Sequence, residues 1–264
     1  MADNRSEFTS PDPSPLQLED LRQAARRLGC DVPAIRAVVE VESLGGGYQR
    51  DGRPKVLFER HCFHRETKGR WSALYPDISS PQAGGYRGGA AEYERLARAM
   101  ELDRTAALRS ASWGAYQIMG FNHALVGFDT VGGFVEAMVE SSARQLAAFI
   151  AFIETSGLAE ALRTHDWAGF ARGYNGPAFR RNRYDEKLAR AYRRFAATDG
   201  DLGPVLRRGM RGEAVADLQK RLRILADGIF GPMTQHAVRE FQRQSALDPD
   251  GIVGRRTWSA LPRR

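Results

Sequence analysis

The sequence predicts a mainly α fold with a small β element, followed by a separate, small three-helix domain. Apolar residues recur at helical spacing through most of the first 196 residues, and one short run, Lys55 to Phe63 (KVLFERHCF), is rich in strand formers. The C-terminal quarter repeats one pattern at an interval of 23 residues. Composition then divides the chain into a polar tail over 1–17, a main domain over 18–196, a linker over 197–203 and the small domain over 204–264.

With 264 residues and 42% hydrophobic content, the chain can bury one sizeable core and a small second one. The first stretch, MADNRSEFTSPDPSPLQ, is polar and Pro/Ser-rich, so it reads as a disordered tail and not as a signal peptide. No segment approaches the roughly 20 apolar residues of a membrane span, so no membrane insertion is expected. Cys30 and Cys62 are too few for a disulfide framework and lack metal-ligand spacing; they read as reduced thiols, with a bridge between them left open. Residues 202–264 hold 12 Lys/Arg against 6 Asp/Glu, so +6 of the net +7 falls in that quarter. Such charge suits nucleic acid, an anionic membrane surface or an acidic wall polymer. Aromatic residues are not interleaved with the basic ones there, which argues against nucleic acid.

The helical pattern begins at Leu16 to Leu28, with Leu18, Leu21, Ala25 and Leu28 on one side. In the next helix, Val32, Ile35, Val38 and Val39 share an arc of the helical wheel that also contains Glu42, whereas Glu40 points nearly the opposite way. Three glycines, Gly45 to Gly47, then end the pattern. A carboxyl group on a buried face resists ionisation, so Glu42 is a candidate general acid. In the strand that follows, Leu57, Glu59 and His61 are expected on one face, which makes Glu59 a second projecting carboxylate. His61 and His64 have no partners at zinc-like spacing and read as packing or hydrogen-bonding groups.

From Trp71 to Gly89 the chain is loop-rich, with glycines and aromatics suited to the lip of a cleft. Helices follow at Ala90 to Met100 and Thr105 to Ser110. The stretch ASWGAYQIMGFN, Ala111 to Asn122, then places the neutral amide of Gln117 between Tyr116 and Ile118, flanked by Gly114 and Gly120. Such a surface can recognise an N-acetyl sugar. Helical spacing resumes from Val131 to Thr155 and Leu158 to Leu162, and another helix ends at Tyr174-Asn175-Gly176-Pro177, where the tyrosine could hydrogen-bond the buried carboxyl. A basic helix, Arg183 to Phe195, closes the domain.

In the last quarter, Asp227 to Thr234 and Asp250 to Thr257 share the pattern DGIxGxxT. Asp-Gly suits a tight turn, the apolar pair plugs a core, and Thr can cap the following helix. Asp227, Phe230, Asp250 and Trp258 are the residues expected to carry the module's binding role.

Glu42-Ser43, Gly114-x-x-Gln117-Ile118-Met119 and Tyr174-Asn175-Gly176, in that order, resemble the motif set of the lysozyme superfamily in its goose-type and lytic transglycosylase branch. More closely, VESLGGGY, GRPKVLFERHCFHRET and SASWGAYQIMGFN resemble phage endolysins of the N-acetylmuramidase family, over about residues 20 to 196. The C-terminal quarter resembles the three-helix peptidoglycan-binding domain. The resemblance implies a mostly helical, lysozyme-like α+β lobe with a small β-hairpin, a sugar-binding cleft, and Glu42 as general acid. It also implies peptidoglycan as partner, with Ser43, Tyr116, Gln117, Tyr174 and Asn175 lining the substrate.

On this reading Glu42 protonates the bond between N-acetylmuramic acid and N-acetylglucosamine, while Glu59 or Asp51 serves water on the opposite face. A lytic transglycosylase giving anhydromuramic ends, or a non-catalytic wall-binding phage protein, are the alternatives. No cofactor or metal is implied, and the protein is expected to act as a monomer. Without a signal peptide, it is expected to accumulate in the host cytoplasm until a holin releases it to the wall.

Overall fold

The structure is a computed structural model that describes residues 6–43, 45–199 and 205–262. The chain divides into two compact units, residues 1–191 and 192–264. The boundary falls inside a helix that runs from Tyr184 to Asp199, so the first residues of the expected linker are helical; residues 200–203 of it lie outside the described residues.

In the first unit, α1 (Leu18–Leu28) ends at Gly29, whose φ of 69° is the left-handed turn that glycine adopts without strain. Asp31 then caps α2 (Val32–Glu42): its Oδ1 accepts from the Ala34 N–H at 2.9 Å. The buried stripe of α2 contains Ile35, Val38 and, at its last residue, Glu42, as the wheel predicts.

The strand expected from Lys55 to Phe63 is cut short. Strand β1 (Val56–Phe58) pairs antiparallel with β2 (Ala111–Trp113), and β2 with β3 (Ile118–Met119). Beyond Phe58 the strand ends. Glu59 donates its N–H to the Ser110 carbonyl at 2.9 Å and occupies the N-cap of α3 (Arg60–Glu66). Cys62 and Phe63 are buried on this helix, with the Phe63 ring 5.8 Å from that of Phe58. His61 therefore stands on a helix and not on a strand face shared with Leu57 and Glu59. The apolar run scores for a strand, but burial against Phe58 makes a helix of its second half.

Helices α4 (Ala91–Leu102) and α5 (Arg104–Arg109) precede β2. The long helical pattern from Val131 breaks into α6 (Val131–Glu140) and α7 (Ser142–Thr155), because Ser141 is extended and its side chain caps α7 through the Arg144 N–H. Then come α8 (Ala159–Arg163), α9 (Trp167–Asn175), a 3₁₀ turn (Phe179–Asn182) and α10 (Tyr184–Asp199).

The tail expected to be disordered is ordered from residue 6. A 3₁₀ turn over Ser6–Phe8 delivers Phe8, 3% exposed, between Tyr93 and Trp113 at ring distances of 5.5 and 5.7 Å. Ser10 bonds the Gly52 and Glu140 carbonyls. A single aromatic side chain thus straps a polar segment to the core, a contact that average composition does not reveal.

In the second unit, α11 (Glu213–Arg221), α12 (Pro232–Gln244) and α13 (Arg255–Ala260) surround a core of Val215, Leu218, Phe230, Val238, Val253 and Trp258. The repeat is longer than DGIxGxxT. Gln219 is buried and its Nε2 donates to Asp227 Oδ1, Ile229 O and Thr234 Oγ1 at 2.7, 3.1 and 3.0 Å, while its Oε1 accepts from the Gly228 N–H. Gln242 makes the same contacts with Asp250, Ile252, Thr257 and Gly251. Thr234 and Thr257 are thus buried partners of a glutamine and not helix caps; the caps are Gly231 and Gly254.

Candidate active site

Glu42 closes the buried face of α2 and is 8% exposed. Burial pushes its pKa up to about 7, against smaller opposing effects from an Asn175 hydrogen bond and the Lys187 charge. The Asn175 Nδ2 donates to Glu42 Oε1 at 3.1 Å. Asn175 is the last residue of α9, which Gly176 ends with a φ of 79°. At neutral pH this carboxyl holds a proton on a substantial fraction of molecules, so it can donate one.

The expectation that Tyr174 bonds this carboxyl is corrected. The Tyr174 hydroxyl donates to the Tyr116 carbonyl at 3.0 Å, and its ring packs edge-on against Phe149 and Phe152. Tyr116, expected to line the substrate, has its ring buried and stacked on Phe149 at 4.0 Å. Gln117 has a φ of 48°, and its amide is engaged by Ser112 Oγ and the Gly114 carbonyl, so it braces the β2–β3 turn from within. Ser43 follows α2 with its N–H on the Val39 carbonyl, half-buried beside Glu42.

The two second-carboxylate candidates differ. Asp51 accepts from Arg53 Nη2 and Nε at 2.7 and 3.0 Å and from the Arg53 N–H at 3.1 Å, which hold it below the usual carboxylate range. The Arg53 guanidinium in turn lies 4.0 Å over the Tyr93 ring. Asp51 is thereby committed to a turn. Glu59, at the corner between β1 and α3, accepts from the Tyr86 hydroxyl at 2.8 and 3.1 Å, and His61 Nδ1 lies 3.1 Å from its Oε2 without the alignment of a hydrogen bond.

Four supporting residues were not anticipated from sequence. Tyr86, half exposed on the long loop, meets Glu59. Gln145 on α7 is buried; its Oε1 accepts from the Ala115 N–H and its Nε2 donates to Met138 O, both at 2.7 Å. A Cβ on Gly47 or Gly114 would sit 2.0 or 2.7 Å from this side chain, so both glycines are required by its approach. Glu92 and Arg95, one turn apart on α4, form a buried pair at 2.7 Å. Glu92 also accepts from the Phe58 and Gly88 N–H groups, and Arg95 donates to the Phe58 and Asp77 carbonyls, which fastens the loop through residue 88 to β1. The i, i+3 spacing of Glu92 and Arg95 and the Gln-x7-Asp-x6-Thr spacing of the repeats were the available signals.

The N-acetylmuramidase family model matches residues 31–196, well over half of the chain. The chain belongs to the N-acetylmuramidase family. In this muramidase chain a second model, a putative peptidoglycan-binding domain, matches residues 211–261. The crystal structure of a Burkholderia AP3 phage endolysin is similar, with a TM-score of 0.68 and 46% identity, over 70% of this chain and 73% of that one. An uncharacterized protein of Kitasatospora aureofaciens is 46% identical over 65 residues, 22% of this chain and 55% of its own. A probable N-acetylmuramoyl-L-alanine amidase of Bacillus licheniformis is 38% identical over 72 residues, 24% of this chain and 20% of its own. The muramidase chain thus spans about half and about a fifth of these two curated relatives.

Asp227, Phe230, Asp250 and Trp258, expected to carry the binding role of the C-terminal module, have structural contacts within it. Phe230 and Trp258 are core residues at 0% and 3% exposure, and the two aspartates cap their own turns through the Ile229 and Ile252 N–H groups at 2.8 Å. Cys30 and Cys62 are both free; burial pushes the Cys30 thiol up to about 12 and raises that of Cys62. No group of residues suited to hold a metal occurs among the described residues. No helix among them is long and apolar enough to cross a membrane.

Proposed function

We propose that this chain is a modular endolysin that binds bacterial peptidoglycan and hydrolyses its N-acetylmuramic acid–N-acetylglucosamine β-1,4 bond, with Glu42 as general acid. The observation that carries the reading is the buried Glu42 carboxyl, poised near pH 7 and oriented by Asn175. Membership of the muramidase family and the likeness to a phage endolysin support it. Glu59 is the second carboxylate: Tyr86 orients it, whereas the Arg53 pairing of Asp51 weakens that residue as a base. Release from the host cytoplasm through holin lesions, followed by lysis, completes the proposal.

The test is mass spectrometry of muropeptides released from purified peptidoglycan, with Glu42→Gln, Glu59→Gln and Asp51→Asn beside the parent chain. Reducing muramic acid ends, with loss of release in the first two variants and not the third, are expected. Anhydromuramic ends would assign a lytic transglycosylase, and full activity of Glu42→Gln would overturn the reading.

A further inference from the structure

Between residues 172 and 191, at the end of the first unit, six basic residues accompany two acidic ones. The same stretch contains Asn175, the hydrogen-bond partner of Glu42. Arg172 lies one helical turn before Asn175 on α9, and so on the same side of that helix. After Gly176 the chain turns into the 3₁₀ segment, whose Phe179 is buried. The Arg172 and Arg180 guanidiniums both lie over that one ring, at 5.9 and 5.7 Å from its centroid. Lys187, in the first turn of α10, is exposed with its ammonium 5.2 Å from the Tyr184 ring.

Arg172, Arg180, Arg181 and Lys187 are all exposed, and none has a carboxylate within ion-pair distance among the described residues. Arg183, by contrast, is paired with Glu186. Two guanidiniums held near one ring without a counter-charge repel each other, and an anion bound by them would relieve that repulsion. Lys187 is near enough to Glu42 to favour its ionised form, so this positive field reaches the candidate acid.

We infer that Arg172, Arg180, Arg181 and Lys187 form an anion-binding rim beside Glu42 that takes the carboxylates of the peptide stems borne by the glycan strand. The inference rests on the proposed glycan cleavage. It names the substrate as peptide-substituted glycan and not the bare sugar chain. Guanidinium groups suit this task because they bind carboxylates through paired N–H donors. An anionic lipid surface presents charge of the same sign, but the rim's place beside the Asn175–Glu42 contact favours a ligand that is part of the strand in the cleft.

The test is calorimetric binding with the full-length Glu42→Gln chain, which holds whether or not cleavage occurs. Its probes are soluble peptidoglycan fragments of equal sugar length, with stems and with stems removed. Stem-bearing fragments are expected to bind about tenfold tighter, and adding Arg172→Gln and Arg180→Gln should erase that difference while leaving the stem-free affinity within about twofold. Arg172→Lys with Arg180→Lys should keep part of it. Equal affinity for both fragments would overturn the inference. So would an unchanged preference in the Gln variants, or a loss confined to binding of phosphatidylglycerol vesicles, which would assign the rim to a membrane surface. Failure of the cleavage reading is seen separately, as absence of released muropeptides with the parent chain.

Discussion

Asn175 donates to the Glu42 carboxylate at 3.1 Å across 133 residues of sequence, joining the C-terminal end of α9 to that of α2. The bond favours the ionised carboxyl, against a burial effect that is larger and favours the protonated one. Removing it in Asn175→Ala is therefore expected to raise the Glu42 pKa further above about 7 and to move the alkaline limb of the pH–rate profile upward. The maximal rate should fall roughly tenfold as the carboxyl loses its orientation. A pH profile of muropeptide release checks both.

Glu42→Gln should lower the rate by about 10²- to 10⁴-fold. It should also stabilise the fold in a pH-dependent way. The folded pKa of Glu42 is raised from 4.5 to about 7, so its destabilising charge is absent below pH 4.5, grows through that interval, and is complete above it. The variant should match the parent in stability at pH 4 and exceed it by about 3 kcal/mol at pH 8, as read by denaturant unfolding.

Gly47→Ala introduces a Cβ 2.0 Å from Gln145 Oε1 and 3.1 Å from the Ala115 nitrogen. Gln145 is buried and cannot move without releasing its bonds to Ala115 and Met138, so a loss of about 1–3 kcal/mol is expected. Combined with Gln145→Ala, the two effects should sum to less than their separate values, because both act on the same contact. A double-mutant cycle by thermal unfolding measures this coupling.

In the C-terminal unit, Gln242→Ala strands the Gly251 N–H in the interior and removes the donor to the Thr257 hydroxyl, and should cost about 2–3 kcal/mol, with Gln219→Ala comparable. Calorimetric unfolding reads this effect. Exposed substitutions, such as Met233→Ser at a side chain 77% exposed, should leave that transition within about 0.5 kcal/mol.

Local sequence by itself determined the helices, the apolar stripe that carries Glu42, the strand formers of β1, and the C-terminal repeat. Those features rest on side-chain period and turn chemistry, which act over a few residues. The helical wheel set Glu42 apart from Glu40 as the candidate acid, and the family resemblance implied the same role for it. Only the tertiary structure decided which groups surround it. Asn175 and not Tyr174 reaches the carboxyl, because α9 packs the tyrosine ring into Phe149 and Phe152 and leaves its neighbour facing Glu42. Tyr86 meets Glu59, and Phe8 straps down a segment whose composition reads as disordered. These partners lie from 27 to 133 residues apart, and what selects them is the simultaneous packing of elements and the need of each buried polar atom for a partner.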